Sequence, residues 1–287
     1  MSNPASDNAF EERRGLELSD QVFARFCRIV REQAGIVLDD TKRDLVYSRL
    51  SRRLRALSMT DFKEYCDLVE RNTGPEFEEF LNAITTNLTS FFRERHHFDF
   101  MSETVIPELL KRHEKDRRIR LWSAGCSTGE EPYSLSMTLL ENLPASQAWD
   151  ILVLATDLDT RVLDKARAGV YEDKDIESLK PAQRQRWFQK GGSGNEERVR
   201  VKPELGELIR FNQLNLMGDW PMKGPFDVIF CRNVVIYFDK DTQRRLFDHY
   251  AGLMTDGGYL FVGHSESLFR VTDRFELIGQ SIYRKVY

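Results

Sequence analysis

The sequence predicts an α/β protein in which a small all-α domain precedes a parallel β-sheet covered by helices on both faces. From Ile119 onward, short apolar runs such as WDILVLATD alternate with helical patterns such as TRVLDKARAGVY. Strands that alternate with helices are typical of a parallel sheet with helices on both of its faces. Before residue 118, apolar residues recur at helical spacing and no strand alternation is convincing.

Four helices are predicted in the N-terminal domain, over about residues 19–88. Ser19-Asp20 can cap the first helix, and AGIVLDD ends it. The second begins at about Thr41, and Asp61 is the predicted N-cap of the third. Gly74-Pro75 separates the third helix from the fourth. The polar residues before this domain, 1–18, are predicted to form a flexible tail.

The α/β domain is predicted to span residues 89–287, with an interruption at about residues 171–210. This interruption contains the glycine-rich KGGSGNEE. It also contains the alternating pairs Val199/Val201 and Ile209/Phe211, which indicate a hairpin. The sequence therefore predicts a small antiparallel β-subdomain inserted in the larger domain.

Composition sets limits on the class of protein. The chain has 287 residues, of which 41% are hydrophobic and 31% charged, and a net charge of -4. These values are ordinary for a soluble protein, and they do not favour nucleic acid or an anionic membrane as a partner. No apolar run approaches the roughly 20 residues of a membrane helix, and the polar first residues lack a signal-peptide core. We expect a cytoplasmic protein whose four widely spaced cysteines are free thiols.

A turn of small residues lies between a predicted strand and a predicted helix in WSAGCSTGEEPYSLSM, residues 122–137. Gly125 and Gly129 allow close approach to the backbone, but no lysine follows Gly129 as in a Walker A loop. Because Glu130 and Glu131 would repel a diphosphate, the turn favours a ligand without phosphate and with positive charge, such as S-adenosylmethionine. The alternative is that both glutamates only stabilise the first helical turn.

An acid stands at the predicted carboxyl end of the second strand, where WDILVLATD ends in Asp157. In nucleotide-binding α/β folds, an acid at this place accepts hydrogen bonds from ribose hydroxyls. The alternative is a helix N-cap. We assign the ribose to Asp157 and the cap to Asp159 or Thr160.

Two further segments place polar residues near the predicted site. FDVIFCRNVVIYF ends a strand at Cys231-Arg232-Asn233, with Tyr237 near the rim, and it lacks the prolines of the [ND]PP[YF] motif of enzymes that methylate bases. TTNLTSFFRE, before the sheet, carries Asn87, Thr89 and Arg93 among phenylalanines. This second segment either presents Arg93 to the pocket or is only a linker between domains.

One predicted helix is strongly basic. In KRDLVYSRLSRRLRAL, Arg49, Arg52 and Arg53 fall on one helical face. In a chain of negative net charge, this is a local positive patch, which we interpret as a docking surface for an acidic partner. A solvated face and a nucleic-acid surface are the alternatives.

Other polar clusters give weaker signals. Adjacent His96 and His97 are predicted to point to different faces of a helix and to make a poor metal pair, so we expect no metal. GHSE, residues 263–266, lacks the GxSxG pattern of a nucleophile elbow.

The motifs taken together resemble the chemotaxis receptor methyltransferases of the CheR type. The resemblance rests on TTNLTSFFRE, WSAGCSTGEEPYSLSM, ATDLDT, FDVIFCRNVVIYFDK and GHSESL in this order, and on AGIVLDDTKRDLVYSRLSRRLRAL before them. It implies a class I methyltransferase (Rossmann-like) domain with the inserted β-subdomain and the all-α N-terminal domain. It also implies methyl transfer from S-adenosylmethionine, leaving S-adenosylhomocysteine, to glutamate side chains of membrane chemoreceptors.

The resemblance also implies roles for individual residues. Arg93 and Tyr237 would lie at the reacting centre as catalytic residues. Some members of the family bind a peptide at the receptor's C-terminus through the β-subdomain. We expect a monomer whose partners are the acidic methylation helices of receptors. The implied cofactor contacts are Asn87, Thr89, Arg93, Glu131, Asp157 for the ribose, Asn215 and Leu216 for the adenine, Cys231 and Arg232.

Two other functions compete with this interpretation. The first is a methyltransferase of the same fold that acts on RNA or a small molecule, which the missing proline motif and the N-terminal domain disfavour. The second is a sensor that binds a nucleoside and a partner without catalysis, which the complete set of pocket motifs disfavours.

Overall fold

The structure is a computed structural model that describes residues 16–71, 74–144, 147–191 and 197–286. The chain divides into two compact units between Thr85 and Thr86. Most of the predicted tail and residues 192–196 of the glycine-rich segment lie outside the described residues. Among the described residues, no helix has the length and apolar content needed to cross a bilayer.

The first unit is built from α-helices. Ser19 accepts a hydrogen bond from the Val22 amide at 3.3 Å, and Asp61 accepts one from the Lys63 amide at 2.7 Å, so both predicted caps are confirmed. Phe26, with no exposed surface, packs against other aromatic rings at the centre of the unit. The helices are α1 (Asp20–Ala34), α2 (Arg43–Ala56, preceded by a 3-10 turn at Asp40–Lys42), α3 (Phe62–Glu70) and α4 (Pro75–Ile84).

The second unit contains a seven-stranded sheet in the order β6-β2-β1-β7-β8-β10-β9. β1 pairs in parallel with both β2 and β7, and β10 is antiparallel to both of its neighbours. Because β2 and β7 lie on opposite sides of β1, the strand order reverses at the carboxyl end of β1. The strands are β1 (Arg118–Ala124), β2 (Asp150–Asp157), β6 (Ile209–Gln213), β7 (Phe226–Cys231), β8 (Met254–Val262), β9 (Phe275–Gly279) and β10 (Ile282–Lys285).

Helices cover both faces of this sheet. Consecutive residues of a strand point to opposite faces. Phe230 packs on Phe98 of α5, whereas its neighbour Cys231 accepts a hydrogen bond from Tyr250 of α11. The helices are α5 (His96–Phe100), a π turn (Met101–Val105), α6 (Ile106–Arg112), α7 (Glu130–Asn142), α8 (Thr160–Ala168), α9 (Pro181–Trp187), α10 (Pro203–Gly206) and α11 (Lys240–Leu253).

A small antiparallel sheet is inserted between β2 and β6, as predicted. Its strands are β3 (Val170–Glu172), β4 (Phe188–Lys190) and β5 (Arg198–Val201), in the order β3-β5-β4. The expected hairpin between Val199/Val201 and Ile209/Phe211 is wrong. Ile209–Gln213 forms β6 and pairs in parallel with β2 at the edge of the large sheet, where the buried Ile209 lies opposite Val153.

Candidate functional site

The loops at the carboxyl ends of β1, β2 and β6 are tied together by backbone hydrogen bonds. The amide of Ser127, after β1, donates to Oδ2 of Asp157 at 2.8 Å. The amides of Gly125 and Cys126 donate to the Thr156 carbonyl, and the amide of Leu214, after β6, donates to the Asp157 carbonyl. Since the strand order reverses here, this is the position at which an open α/β sheet binds its ligand.

The first loop depends on its two glycines. Gly125 has a φ of 90°, and a Cβ there would lie 2.4 Å from a methyl group of Val234. Gly129 has a φ of 99°, and a Cβ there would lie 2.8 Å from the hydroxyl of Tyr171. Both positions therefore require glycine for backbone conformation and for space.

The two glutamates after this loop have different surroundings. Glu130 is buried, and its carboxylate accepts a hydrogen bond from the Thr128 hydroxyl at 2.6 Å, at the N-terminus of α7. Glu131 accepts from the Ser123 hydroxyl at 2.8 Å and from Arg232 at 3.1 Å. Burial raises the pKa of both carboxyls. Only Glu131 accepts a hydrogen bond from the loop after β7, through Arg232, so the two glutamates have different partners in the structure.

Asp157 ends β2, as predicted, and it is 9% exposed. Its Oδ1 accepts the Asp159 amide at 3.0 Å, and its Oδ2 accepts the Ser127 amide. Burial raises the pKa of Asp157 to about 6, against the opposing effect of these amides. Asp159 is the N-cap of α8, accepting from the Arg161 amide at 2.9 Å. The cap and the candidate ribose ligand are therefore separate residues.

Arg232 links three loops from a buried position directly after β7. Its side chain is 2% exposed. Nη1 donates to Glu131, while Nη2 lies 3.3 Å from Oε2 of Glu94 and donates to the carbonyl of Arg93. When both carboxylates are ionised, this cluster carries one net negative charge. Burial opposes ionisation of Glu94, but a hydrogen bond from His264 and the Arg232 charge lower its pKa to about 2.

Arg93 lies in a bent segment. Its neighbours Phe92 and Glu94 have φ values of 52° and 54°, in the left-handed region that costs about 1–2 kcal/mol per residue. Its Nη1 donates to the Leu88 carbonyl at 2.7 Å. Within the part of the chain that the structure describes, no carboxylate forms an ion pair with Arg93, so its positive charge is not neutralised by the protein.

Asn87 joins this segment to the loops after β1 and β2. The Asn87 side chain donates to Oδ2 of Asp159 at 2.8 Å, and its carbonyl accepts from the Ser127 hydroxyl at 2.9 Å. Thr89 is half-buried two residues further on. The segment 86–94 is thus joined to both the first and the second loop of the site.

The remaining predicted residues differ in burial and in their hydrogen bonds. Asn215 and Leu216 follow β6 and are half-buried, and Asn215 Oδ1 accepts the Met217 amide at 2.9 Å. Cys231 is fully buried and bonded to Tyr250, so we expect its contribution to come from its backbone. Tyr237 ends a 3-10 turn at Val235–Tyr237 and is half-buried.

Two acids of the site were not predicted from the sequence. Glu94, next to Arg93, pairs with Arg232. Glu266, inside GHSESL, accepts backbone hydrogen bonds from the loop after β7. Both lie within motifs already recognised, which is the only signal that could have identified them.

The expected geometry of the two histidines is wrong. The rings of His96 and His97 are 4.1 Å apart, and both Nε2 atoms face the Gln280 carbonyl, at 3.3 and 3.2 Å. Both rings therefore lie on the same side of the chain. Ligand atoms of Glu94, His96 and His97 lie within 4.8 Å of one another, but Arg232 occupies the Glu94 carboxylate. A cation at that place would be repelled by the guanidinium.

The predicted basic face lies in the helical unit, and two of its three arginines form hydrogen bonds inside that unit. Arg49 donates to the carbonyls of Ile84 and Thr85 at the end of α4, at 2.6 and 2.7 Å. Arg53 binds Glu76 through two hydrogen bonds. Arg52 is exposed. The positive patch is therefore smaller than the sequence indicates.

Comparisons with known proteins identify the family of the chain. The model described as "CheR methyltransferase, SAM binding domain" matches residues 87–284, and "CheR methyltransferase, all-alpha domain" matches residues 21–85. A chemotaxis protein methyltransferase of Escherichia coli is 45% identical over 271 residues, covering 93% of this chain and 92% of that protein. A probable chemotaxis protein methyltransferase of Rhizobium etli is 45% identical over 258 residues, covering 89% and 96%. The chain belongs to the CheR methyltransferase family, and it is an S-adenosylmethionine-dependent protein-glutamate O-methyltransferase of chemotaxis.

Proposed function

We propose that this chain methylates glutamates on the cytoplasmic helices of membrane chemoreceptors, and that it works as a monomer in the cytoplasm. The observation that carries the proposal is the charge of the site. With both carboxylates ionised, the cluster of Glu94, Glu131 and Arg232 carries one net negative charge, whereas Arg93, whose carbonyl binds Arg232, forms no ion pair among the described residues. The first suits a cationic cofactor, and the second suits an anionic acceptor.

The residues present fit S-adenosylmethionine. Asp157 would accept hydrogen bonds from the ribose hydroxyls, and Asn215 and Leu216 would border the adenine. Glu131 and the segment Asn87–Arg93 would hold the amino-acid end. The absence of a lysine after Gly129 agrees with a ligand that has no phosphate. When bound, the cofactor supplies an electrophilic methyl group.

The acceptor needs no general base. A glutamate carboxylate has a reference pKa of about 4.3, so it is already ionised at neutral pH. The protein's task is to align the carboxylate with the methyl carbon and to exclude water, and good alignment contributes on the order of 7–11 kcal/mol. Arg93 orients the acceptor carboxylate, and Tyr237 closes the site beside it.

Receptor docking is assigned to the exposed part of the basic helix. The methylation helices of receptors are acidic, so a positive surface attracts them. Of the three predicted arginines, Arg52 is exposed, whereas Arg49 and Arg53 are engaged with α4. Arg55 is also exposed and extends the surface.

A second contact with the receptor is proposed at the β-subdomain. A cavity of about 480 Å³ there has apolar lining residues such as Ile176 and Phe188, and its charged lining residues are Arg184, Lys190 and Asp173, which leave one net positive charge. Such a lining suits a peptide that carries an apolar side chain and a free carboxylate. A receptor C-terminal peptide should bind with lower affinity to Phe188→Ala than to the parent protein in titration calorimetry. Equal affinities would remove this second contact from the proposal.

The methyl-transfer experiment uses receptor-containing membranes and S-adenosylmethionine labelled in its methyl group. The proposal expects label in the receptor that mild base releases as methanol, because carboxyl esters are base-labile. Asp157→Ala serves as the control that cannot hold the cofactor. Label that resists base, or label in RNA or small molecules instead of the receptor, would contradict the proposal.

A further inference from the structure

The loop that carries Tyr237 is held by one buried carboxylate. Glu266 is 6% exposed. Its Oε1 accepts the amides of Val234 at 2.8 Å and Ile236 at 3.2 Å. Its Oε2 accepts the amides of Asn233 at 2.9 Å and Gly263 at 2.5 Å. Four backbone donors from two loops thus converge on a single side chain.

This carboxylate has no cationic partner. Within the described ranges, no lysine, arginine or histidine forms an ion pair with Glu266, so the four amide dipoles compensate its charge. A carboxylate that accepts several backbone N–H groups makes charge-assisted hydrogen bonds, which are stronger than neutral ones. Removing the acceptor would leave these four amides without their shared partner, so the two loops would lose the contact that joins them.

The loop that Glu266 holds contacts the loop after β1 and leads directly to Tyr237. Asn233 has a φ of 58°, and its amide donates to Oε2 of Glu266. Val234 packs so closely on Gly125 that no Cβ would fit between them. The sequence then reaches Tyr237 directly after the last amide that Glu266 binds.

We propose that Glu266 is a positioning residue of the methyl-transfer reaction, which acts by fixing the loop 233–237 and hence the place of Tyr237. It touches neither the cofactor nor the acceptor in this role. The proposal rests on the catalytic role of Tyr237 in the proposed function. Its consequence is that loss of the carboxylate should reduce turnover much more than cofactor affinity.

The decisive variant is Glu266→Gln. The amide group keeps one acceptor oxygen but turns an NH2 group towards two of the four backbone donors. We expect kcat to fall on the order of 10- to 100-fold, because small displacements at a reacting centre have effects of this size. The calorimetric Kd for S-adenosylmethionine should change by less than about threefold. Glu276→Gln, on exposed strand β9, is the matched control and should behave like the parent protein.

A double-mutant cycle with Tyr237→Phe tests whether Glu266 acts through Tyr237. If it does, Glu266→Gln should have little further effect on kcat in the Tyr237→Phe protein. Additive losses would overturn the proposal, and so would an unchanged kcat or an equal loss of cofactor affinity. Should Glu266→Gln fail to fold, Glu266→Asp keeps the charge, and the same non-additivity is expected of it.

Hydrogen exchange separates this proposal from the proposed function. In Glu266→Gln, the amides of Asn233, Val234 and Ile236 should exchange faster than in the parent protein, and this measurement needs no receptor. Unchanged exchange would contradict the role of Glu266. A parent protein that does not methylate receptors would instead contradict the proposed function.

Discussion

At the scale of single residues, the site depends on buried charges that serve different purposes. Asp157 is buried with only backbone donors, so its pKa is raised to about 6. Glu94 is also partly buried, but the opposing contacts with His264 and Arg232 lower its pKa to about 2. The Asp157 carboxyl therefore takes up a proton at a pH only slightly below the physiological value, whereas the Glu94 carboxyl stays ionised.

The raised pKa of Asp157 predicts a pH-dependent affinity for the cofactor. As the pH falls through about 6, the carboxylate takes up a proton and loses an acceptor for the ribose hydroxyls. The Kd for S-adenosylmethionine should therefore rise between about pH 7.5 and about pH 5.5. Calorimetry at both pH values measures this change. In Asp157→Asn the affinity should be low at both values, and a parent protein without pH dependence would contradict the assignment.

Arg232 should not tolerate replacement by lysine. Lysine keeps the charge, but its single ammonium cannot contact Glu131, Glu94 and the Arg93 carbonyl with the geometry of the guanidinium. We expect Arg232→Lys to lower methyl transfer on the order of 10- to 100-fold. Arg232→Met removes the guanidinium that pairs with both Glu131 and Glu94 and should lower the free energy of unfolding by about 3–5 kcal/mol. Activity assays and thermal denaturation would measure the two effects, and a fully active Arg232→Lys would refute this role.

At the scale of elements, the loops after β1 and β7 and the segment 86–94 before the sheet contain residues in the left-handed region. Among the non-glycine residues, Phe92, Glu94, Ser127 and Asn233 all have φ values between 49° and 58°. Such backbone conformations concentrate at functional sites, where the surrounding structure holds them. Here the holding contacts come from Glu266, Asp157 and Arg232.

Gly125→Ala tests this close packing. The new methyl group would meet Val234 at 2.4 Å, at a φ of 90° that favours glycine. We expect the free energy of unfolding to fall by about 1–3 kcal/mol and cofactor affinity to fall with it. Gly252→Ala in α11 is the control, because nothing lies within 4 Å of its added Cβ. The control should be stabilised by about 0.5–1 kcal/mol. Equal effects of the two substitutions would contradict the steric explanation.

The sequence predicted the elements of the site better than their connections. Asp157 was recognisable because an apolar strand ends at an acid. The pairing of Ile209 with β2 was not recognisable, because short alternating segments look alike in a hairpin and in a parallel sheet. The contact between Arg53 and Glu76 joins residues far apart in the chain, and so does the contact of Glu266 with Asn233. Periodicity does not report such tertiary contacts.

At the scale of the whole molecule, the proposed function assigns separate tasks to the two units. We propose that the sheet unit binds the cofactor and that the exposed Arg52 of the helical unit binds an acidic partner. Receptor docking and cofactor binding should therefore respond to different substitutions.

Charge reversal distinguishes the two kinds of arginine in the helical unit. Arg52→Glu should raise the KM for receptors and leave the Kd for S-adenosylmethionine unchanged, because Arg52 is exposed. Arg53→Glu should lower the thermal stability of the helical unit, since it faces Glu76 and Glu79. Steady-state kinetics, calorimetry and thermal denaturation measure these quantities. If Arg52→Glu methylates receptors like the parent protein, the docking assignment is wrong.

The most direct test of the whole account is to map the methyl groups on a purified chemoreceptor after incubation with this chain and S-adenosylmethionine. Peptide mass spectrometry should find base-labile methyl esters on glutamate side chains of the receptor's cytoplasmic helices. The modification should be lost with Asp157→Ala and strongly reduced with Arg93→Ala. Methyl groups on nitrogen, or a receptor that remains unmodified while the chain binds the cofactor, would contradict the account.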